Sequence, residues 1–274
     1  MNISNPLDPY ISKSRFKYLK SKILGTIKHK GYYILQMDNP FRELLDSSLY
    51  EYRKFVNDKK HKINPSSSSF KWDEIKDNYF TKYSIGSTNG LGNPIAQLLK
   101  TTYLPSSIEF LSKSQCNIFK LSRYLVTWRN LLSDLPIDFG YFPKKEKFWN
   151  ASRIHHYPVG GGFMSRHIDE TFPSIMKNAK IPFLQVSVSL SIRSLDYYQG
   201  GGYVIDKQNQ NKIYTDHTLE YPSSITIFDG SGAHGVQEVD PFEVFTFEPK
   251  KMRAALFAST YPFVKWLTLK NKHW

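Results

Sequence analysis

The chain has 274 residues, 40% of them apolar and 15% aromatic, and carries a formal net charge of +13 from 37 basic and 24 acidic residues. That composition excludes a disordered chain, a collagen-like fibre and a disulfide scaffold. The length fits one large domain or two modest ones, and the charge raises a polyanion or a membrane surface as a partner. The single cysteine, Cys116, cannot close an intramolecular disulfide and reads as a small buried hydrophobe. Residues Met1 to Pro6 are polar. No segment approaches the ~20 apolar residues that span a bilayer, so the expectation is a soluble, cytoplasmic protein without a membrane partner.

The first half reads as mostly helical. Phe16, Leu19, Ile23 and Ile27 fall on one face of a helix over 12–30, with lysines filling the other, and Gly31 ends it. A short strand follows at Tyr32–Leu35. Leu44, Leu45, Leu49, Tyr52 and Val56 repeat the helical spacing over 41–56. Asn64 to Ser69 is a loop by composition. Ser106 and Glu109 have capping-box spacing and open a third helical region towards Leu135.

From about Phe148 the texture changes to short β-rich runs separated by Gly, Pro and polar turns: 153–159, 182–193, 203–206, 224–228 and 252–259. Leu184 to Arg193 alternates strictly, one face apolar and the other Gln185, Ser187, Ser189, Ser191 and Arg193. The polar face meets either solvent or a site. Many short strands with turns between them predict a barrel or sandwich.

His167-Ile168-Asp169 follows a strand end and the turn Gly160-Gly161-Gly162; His234 lies 65 residues after Asp169, and Arg253 a further 19 on, heading an apolar strand. Two neutral imidazoles and one carboxylate occupy one face of an octahedral metal and leave three positions open, as non-haem Fe(II) requires. In extended chain, residues i and i+2 point the same way, so His167 and Asp169 can converge on one ion. A nearby arginine can grip a dicarboxylate's free end with two hydrogen bonds.

In these residues the sequence resembles the Fe(II)/2-oxoglutarate-dependent dioxygenases, in the branch with a prolyl-4-hydroxylase-like pattern. The resemblance rests on His156-Tyr157-Pro158-Val159-Gly160-Gly161 leading to His167-Ile168-Asp169, on Tyr198 to Val204 with its glycines, on Ser224 to Phe228 running to His234-Gly235-Val236, and on Arg253. It covers 153–259, about 40% of the chain. It implies a mainly β fold, a double-stranded β-helix or jelly-roll barrel with flanking helices. The whole of 1–274 would form one domain: a mostly helical flank over 1–147, the catalytic barrel over 148–262 and a tail over 263–274. It also implies His167, Asp169 and His234 as iron ligands, Arg253 as the anchor of the 2-oxoglutarate distal carboxylate, and Tyr157 as a further hydrogen bond to it.

The turn from Asp240 to Lys251 lengthens the interval before Arg253, so Lys250 and Lys251 are alternative anchors; Arg253 is preferred because it heads the apolar strand. The implied reaction couples decarboxylation of 2-oxoglutarate to succinate and CO2 with hydroxylation of an unactivated C–H bond, using O2. Desaturation and ring closure are variants. Asp169 argues against halogenation, because halogenases of this group replace the carboxylate with a small residue.

A small molecule, an amino acid or biosynthetic intermediate, is the expected substrate. The alternatives are modification of nucleic acid or protein, and a non-catalytic jelly-roll protein. Gln185, Arg166 and Trp149 are candidate substrate contacts, and 171–180 is a candidate lid. His155 and His156 are not expected to be ligands, since a strand sends them to opposite faces. His217 reads as a solvated turn residue. The charge partitions unevenly, with +7 over 1–62, +4 over 63–151, −1 over 152–262 and +3 over the last twelve residues. The excess is mostly lysine, which reads as solvated flank rather than phosphate recognition, so nucleic acid is not expected as a partner.

Overall fold

The computed structural model describes residues 12–57, 76–88, 95–169 and 171–263. The polar loop at Asn64–Ser69, the chain start and all but the first residue of the tail lie outside them. Helix α1 spans Lys13–Lys30, capped by the Ser12 hydroxyl on the Arg15 amide and closed by Gly31 at φ 89°. Strand β1 (Tyr32–Gln36) and helix α2 (Asn39–Asn57) follow. The third helical region is two helices, α3 (Ile108–Lys113) and α4 (Asn117–Leu132). Its N-cap is Ser107 rather than Ser106, with the Phe110 amide donating to the Ser107 hydroxyl at 3.3 Å. Cys116, at the break before α4, is exposed and not a core residue.

The flank also contains a hairpin that the helical reading of 1–147 did not include: β2 (Phe80–Thr88) and β3 (Ile95–Tyr103), paired over their full lengths. The rest of the chain comprises α5 (Pro143–Glu146), β4 (Phe148–Asn150), β5 (Arg153–Pro158), β6 (Gly162–His167), α6 (Thr171–Asn178), β7 (Leu184–Ser189), β8 (Gly201–Ile205), β9 (Lys212–Tyr214), β10 (Ser224–Asp229), β11 (His234–Val239), β12 (Met252–Ala258) and β13 (Thr260–Pro262).

Strands β5 to β12 form two antiparallel faces, β10–β7–β12–β5 and β6–β11–β8–β9, with β1 added at the β10 edge. The chain passes back and forth between the faces, which is the order of a jelly roll. Strand β3 joins them. Its second half pairs with β5 and its first half with β6, so the sheet curls through β3. The architecture is mostly β with a few helices, as expected.

The two sides of the first face differ in chemistry. Outward residues of β5, β7, β10 and β12, among them Ile154, Val186, Val188, Ile227 and Leu256, share one core with Ile23, Phe41, Leu45, Tyr124 and Trp128 from α1, α2 and α4. Burying each such side chain contributes about 1.5–3 kcal/mol. The helices therefore cover the apolar face, and the polar face of β7 turns inward, so Gln185, Ser187 and Ser189 line a cavity rather than meeting solvent. The strand stops at Ser189, and Arg193 lies beyond it with its guanidinium over the Tyr214 ring.

Candidate metal centre

The cavity between the two faces measures about 200 Å³. His167 ends β6 and His234 begins β11; they are direct cross-strand partners, and their rings lie 4.2 Å apart. Just beyond the end of β6, Ile168 is exposed to solvent while Asp169 lies beside the imidazoles. One ligand atom from each of His167, Asp169 and His234 lies within 4.8 Å of the other two. Each imidazole Nε2 is 3.9 Å from a different Asp169 oxygen.

The backbone fixes both tautomers. His167 Nδ1 donates to the Ser165 carbonyl at 2.8 Å, and His234 Nδ1 to the Gly232 carbonyl at 2.8 Å. The Nε2 lone pairs are thereby left for a metal. Burial, then the neighbouring His167, drops His234 to about 4, so it is neutral at pH 7. Gln185 orients the carboxylate: its amide donates to Asp169 Oδ2 at 2.7 Å, and its own carbonyl accepts from the Ser259 hydroxyl at 2.9 Å.

Arg253, on β12, lies in the cavity wall with 3% exposure. Its Nε and Nη2 donate to the two oxygens of Asp216 at 2.8 and 2.7 Å. Asp216 also accepts from the Tyr197 hydroxyl at 2.6 Å and from the Gly202 amide at 2.7 Å. Burial would raise the Asp216 pKa, but the Arg253 pair, the Tyr197 hydroxyl and the Gly202 amide together hold it below the usual carboxylate value. Gly202 must be glycine here, because a Cβ would run into Arg253 Nη2. With one edge of the fork committed to Asp216, Arg253 Nη1 is buried with no hydrogen-bond partner.

Tyr157 lies beneath this arginine, its ring centroid 4.9 Å from the guanidinium carbon. Its hydroxyl is 3.3 Å from His155 Nδ1, and burial pushes its pKa up to about 12, so it stays a neutral phenol. Lys250 and Lys251 lie on the exposed turn before β12 and do not line the cavity.

Of the sequence-predicted residues, the structure brings together His167, Asp169, His234, Gln185, Tyr157 and Arg253. Two others stay outside. Arg166 is exposed, and Trp149 packs on Tyr103 and Tyr261 behind the cavity wall. The candidate lid forms α6, whose Met176 is buried among Phe139, Phe148 and Phe183. His155 faces the cavity and His156 the opposite side, where it meets Tyr52 and Phe247.

His217 is a correction: it is 1% exposed, with Nε2 2.9 Å from the Ser224 amide nitrogen. Sequence reasoning missed Asp216, Tyr197 and Arg153. The inward spacing of Arg153, His155 and Tyr157 on one strand was a usable signal for the last.

No protein-family model and no curated protein matches the chain. Among solved structures, it is similar to a prolyl hydroxylase from Trichoplax adhaerens in complex with a hypoxia-inducible-factor peptide (13% identity, TM-score 0.48, 94% of this chain and 96% of that one). It is also similar to a Pseudomonas putida prolyl-4-hydroxylase (12%, 0.48, 89% and 98%). A third is the non-heme alpha-ketoglutarate-dependent epimerase SnoN of nogalamycin biosynthesis (8%, 0.49, 90% and 84%).

Proposed function

We propose that the protein is a non-haem Fe(II)- and 2-oxoglutarate-dependent oxygenase that hydroxylates an unactivated C–H bond of a small molecule, releasing succinate and CO2. The observation that carries this reading is one cavity holding both His167, Asp169 and His234, with donor atoms within 4.8 Å of one another, and the buried, unpartnered Nη1 of Arg253. Two neutral imidazoles and a carboxylate are the donor set that suits Fe(II) with open positions. An orphaned, buried guanidinium N–H in a cavity wall fits the free carboxylate of a diacid.

In this reading His167, Asp169 and His234 hold the iron, and Arg253 holds the distal carboxylate of 2-oxoglutarate. The bound iron supplies O2 activation driven by decarboxylation of the co-substrate. The chain supplies position. The Ser165 and Gly232 carbonyls fix the imidazoles, Gln185 fixes the carboxylate, and Asp216 with Tyr197 fixes the plane of Arg253. The cavity, at about 200 Å³, lies below the ~300–1,000 Å³ common for larger ligands, so the part of the substrate that enters it is small.

The test has two readouts. Anaerobic titration with Fe(II) or Mn(II) should show one site in the wild type and none in the His167→Ala, His234→Ala double variant. In air, Fe(II) and 2-oxoglutarate should yield succinate with the wild type only. Metal uptake that survives the double substitution would sink the proposal.

A further inference from the structure

We propose that the end of the cavity around Arg153 is the pocket for the oxidised substrate, and that this substrate carries a carboxylate which Arg153 binds. The inference rests on the oxygenase reading above and adds the chemical class of the substrate.

Arg153 opens β5 and is 7% exposed, with its side chain in the cavity wall. Residues 153, 155 and 157 alternate onto the inner face. The β5–β12 register pairs Arg253 with Tyr157 and Phe257 with Arg153. The two arginines therefore stand four residues apart along one ladder, about 13 Å at ~3.3 Å per residue. The side chains keep the two apart, because His155 and Tyr157 stand between them: Arg153 bonds His155, His155 Nδ1 is 3.3 Å from the Tyr157 hydroxyl, and the Tyr157 ring lies under Arg253, so a carboxylate held at Arg253 leaves Arg153 unused.

The two cations differ in their company. Arg253 is neutralised by Asp216. Arg153 donates from Nε to His155 Nε2 at 2.9 Å, from Nη1 to the Ala151 carbonyl at 3.3 Å, and to the Tyr261 hydroxyl, all neutral acceptors. His155 is neutral because burial, then Arg153 itself, pushes its pKa far down. Among the described residues no carboxylate forms an ion pair with Arg153. Of the acidic groups whose charge would favour the guanidinium, Tyr261 and Tyr103 come first, but burial pushes both phenols up and keeps them neutral; Asp169 follows, and that carboxylate is held by Gln185 beside the two imidazoles. A buried guanidinium without a counter-charge is costly, by several kcal/mol for an ion of this size. A ligand anion removes that cost, and the planar fork matches a carboxylate.

The walls suit an organic body. The guanidinium carbon lies 5.6 Å from the Phe257 ring and 5.0 Å from the Tyr261 ring. Tyr103, also in the cavity wall, is stacked on Phe80 at 4.3 Å and on Trp149 at 6.2 Å. These rings hold the arginine's plane and form a rigid apolar surface beside it. A monocarboxylate with a short aliphatic or aromatic body fits such a pocket; a phosphate ester would use the same fork.

The test uses the full chain loaded anaerobically with Mn(II) and saturating 2-oxoglutarate. Hexanoate and benzoate are titrated calorimetrically against hexanamide and benzamide, with phenyl phosphate as the other anion. At least one acid should bind about tenfold or more tightly than its amide. Arg153→Gln should erase that preference and Arg153→Lys keep part of it, while Mn(II) and 2-oxoglutarate affinities stay within about threefold.

Three results would overturn the proposal: neither acid preferred over its amide, a preference that survives Arg153→Gln, or phenyl phosphate bound tightly with both acids ignored. A loss of 2-oxoglutarate binding in Arg153→Gln as large as that in Arg253→Gln would also overturn it, placing Arg153 in the co-substrate site. A wild type that takes up neither Mn(II) nor 2-oxoglutarate refutes the oxygenase reading instead. The acid preference is then judged by whether it follows Arg153 or Arg253.

Discussion

Arg253 and Arg153 project from neighbouring strands of one ladder into opposite ends of one cavity, and each is more than nine-tenths buried. Arg253 is clamped. Two hydrogen bonds to Asp216, a tyrosine and a backbone amide behind that carboxylate, and an aromatic ring beneath leave only Nη1 unsatisfied. Arg153 is held by ring faces and neutral acceptors, and its charge is not met. A clamped, neutralised arginine gives direction to a hydrogen bond, whereas an unmet one gives attraction for an anion. Charge and geometry are thus divided between two residues of the same type, and each half can be broken separately.

The largest effect is expected on the clamped side. Asp216→Ala strands a buried guanidinium and removes the acceptor of Tyr197 and of the Gly202 amide. The expected destabilisation is about 3–5 kcal/mol, read from urea or thermal unfolding. Adding Arg253→Met to Asp216→Ala should recover part of it, because the stranded charge is then gone. A single variant as stable as wild type would show that the pair is not the clamp described.

Acid should act on buried histidines before it reaches the arginine clamp. Burial lowers His217 to about 4 and His156 to about 3, so both are neutral in the fold. Below the model-peptide value of about 6.5 the unfolded chain takes up protons that the fold does not. Stability therefore falls as pH drops from about 6.5 towards these values, by a few kcal/mol for the two groups together. Asp216 is also depressed, so its contribution is present above its ordinary value of 3.8 and is lost as pH falls through the depressed one. Unfolding curves between pH 7 and 4 should weaken through the histidines, with the arginine clamp intact. A flat profile over that range would contradict the burial of both.

Gln185→Ala tests the third piece of positioning, between the two arginines. The change leaves His167, Asp169 and His234, the proposed ligands, in place and releases only the amide on Asp169 and the acceptor of the Ser259 hydroxyl. Loss of such an orienting partner typically weakens a metal site 10–100-fold. Mn(II) titration reads it, and Gln185→Glu should not restore it, since a second carboxylate faces Asp169.

How much of this was legible in the sequence follows from local geometry. His167 and Asp169 stood out because extended chain puts i and i+2 on one side, and the alternation of β7 gave the strand its two faces. The hairpin was hidden because β3 pairs with β2 along one edge and with both β5 and β6 along the other, burying consecutive residues Leu99 to Thr102. No period of two survives that. His217 read as solvated, and Asp216 went unnoticed, because their neighbours are polar. Their burial comes from partners 37 and 7 residues away, Arg253 and Ser224, which no local window reports.

On the unmet side a small or inverted effect is expected. Arg153→Met removes a buried charge that has no carboxylate partner and keeps most of the stem's volume. It costs His155, the Ala151 carbonyl and the Tyr261 hydroxyl a donor each, on the order of 1 kcal/mol apiece, and saves the desolvation of the guanidinium, which is of similar size or larger. The melting temperature should therefore stay near the wild-type value or rise, in contrast to Asp216→Ala. A fall of several kcal/mol would make Arg153 a structural residue and remove the asymmetry between the two ends.

The smallest effect belongs to the alternative anchors. Lys250 and Lys251 are exposed on the turn before β12, while Arg253, two residues past Lys251, turns its guanidinium inward onto Asp216. Exposed lysines contribute at most tenths of a kcal/mol to a ligand they do not touch, and salt screens even that. Lys250→Ala, Lys251→Ala should leave 2-oxoglutarate affinity unchanged within about twofold at ordinary ionic strength, whereas Arg253→Lys should weaken it markedly. A lysine keeps the charge, but it cannot bond both Asp216 oxygens and still present a third N–H in the same plane. If the lysine pair mattered and Arg253→Lys did not, the anchor would lie on the turn, and the orphaned Nη1 of Arg253 would need another explanation.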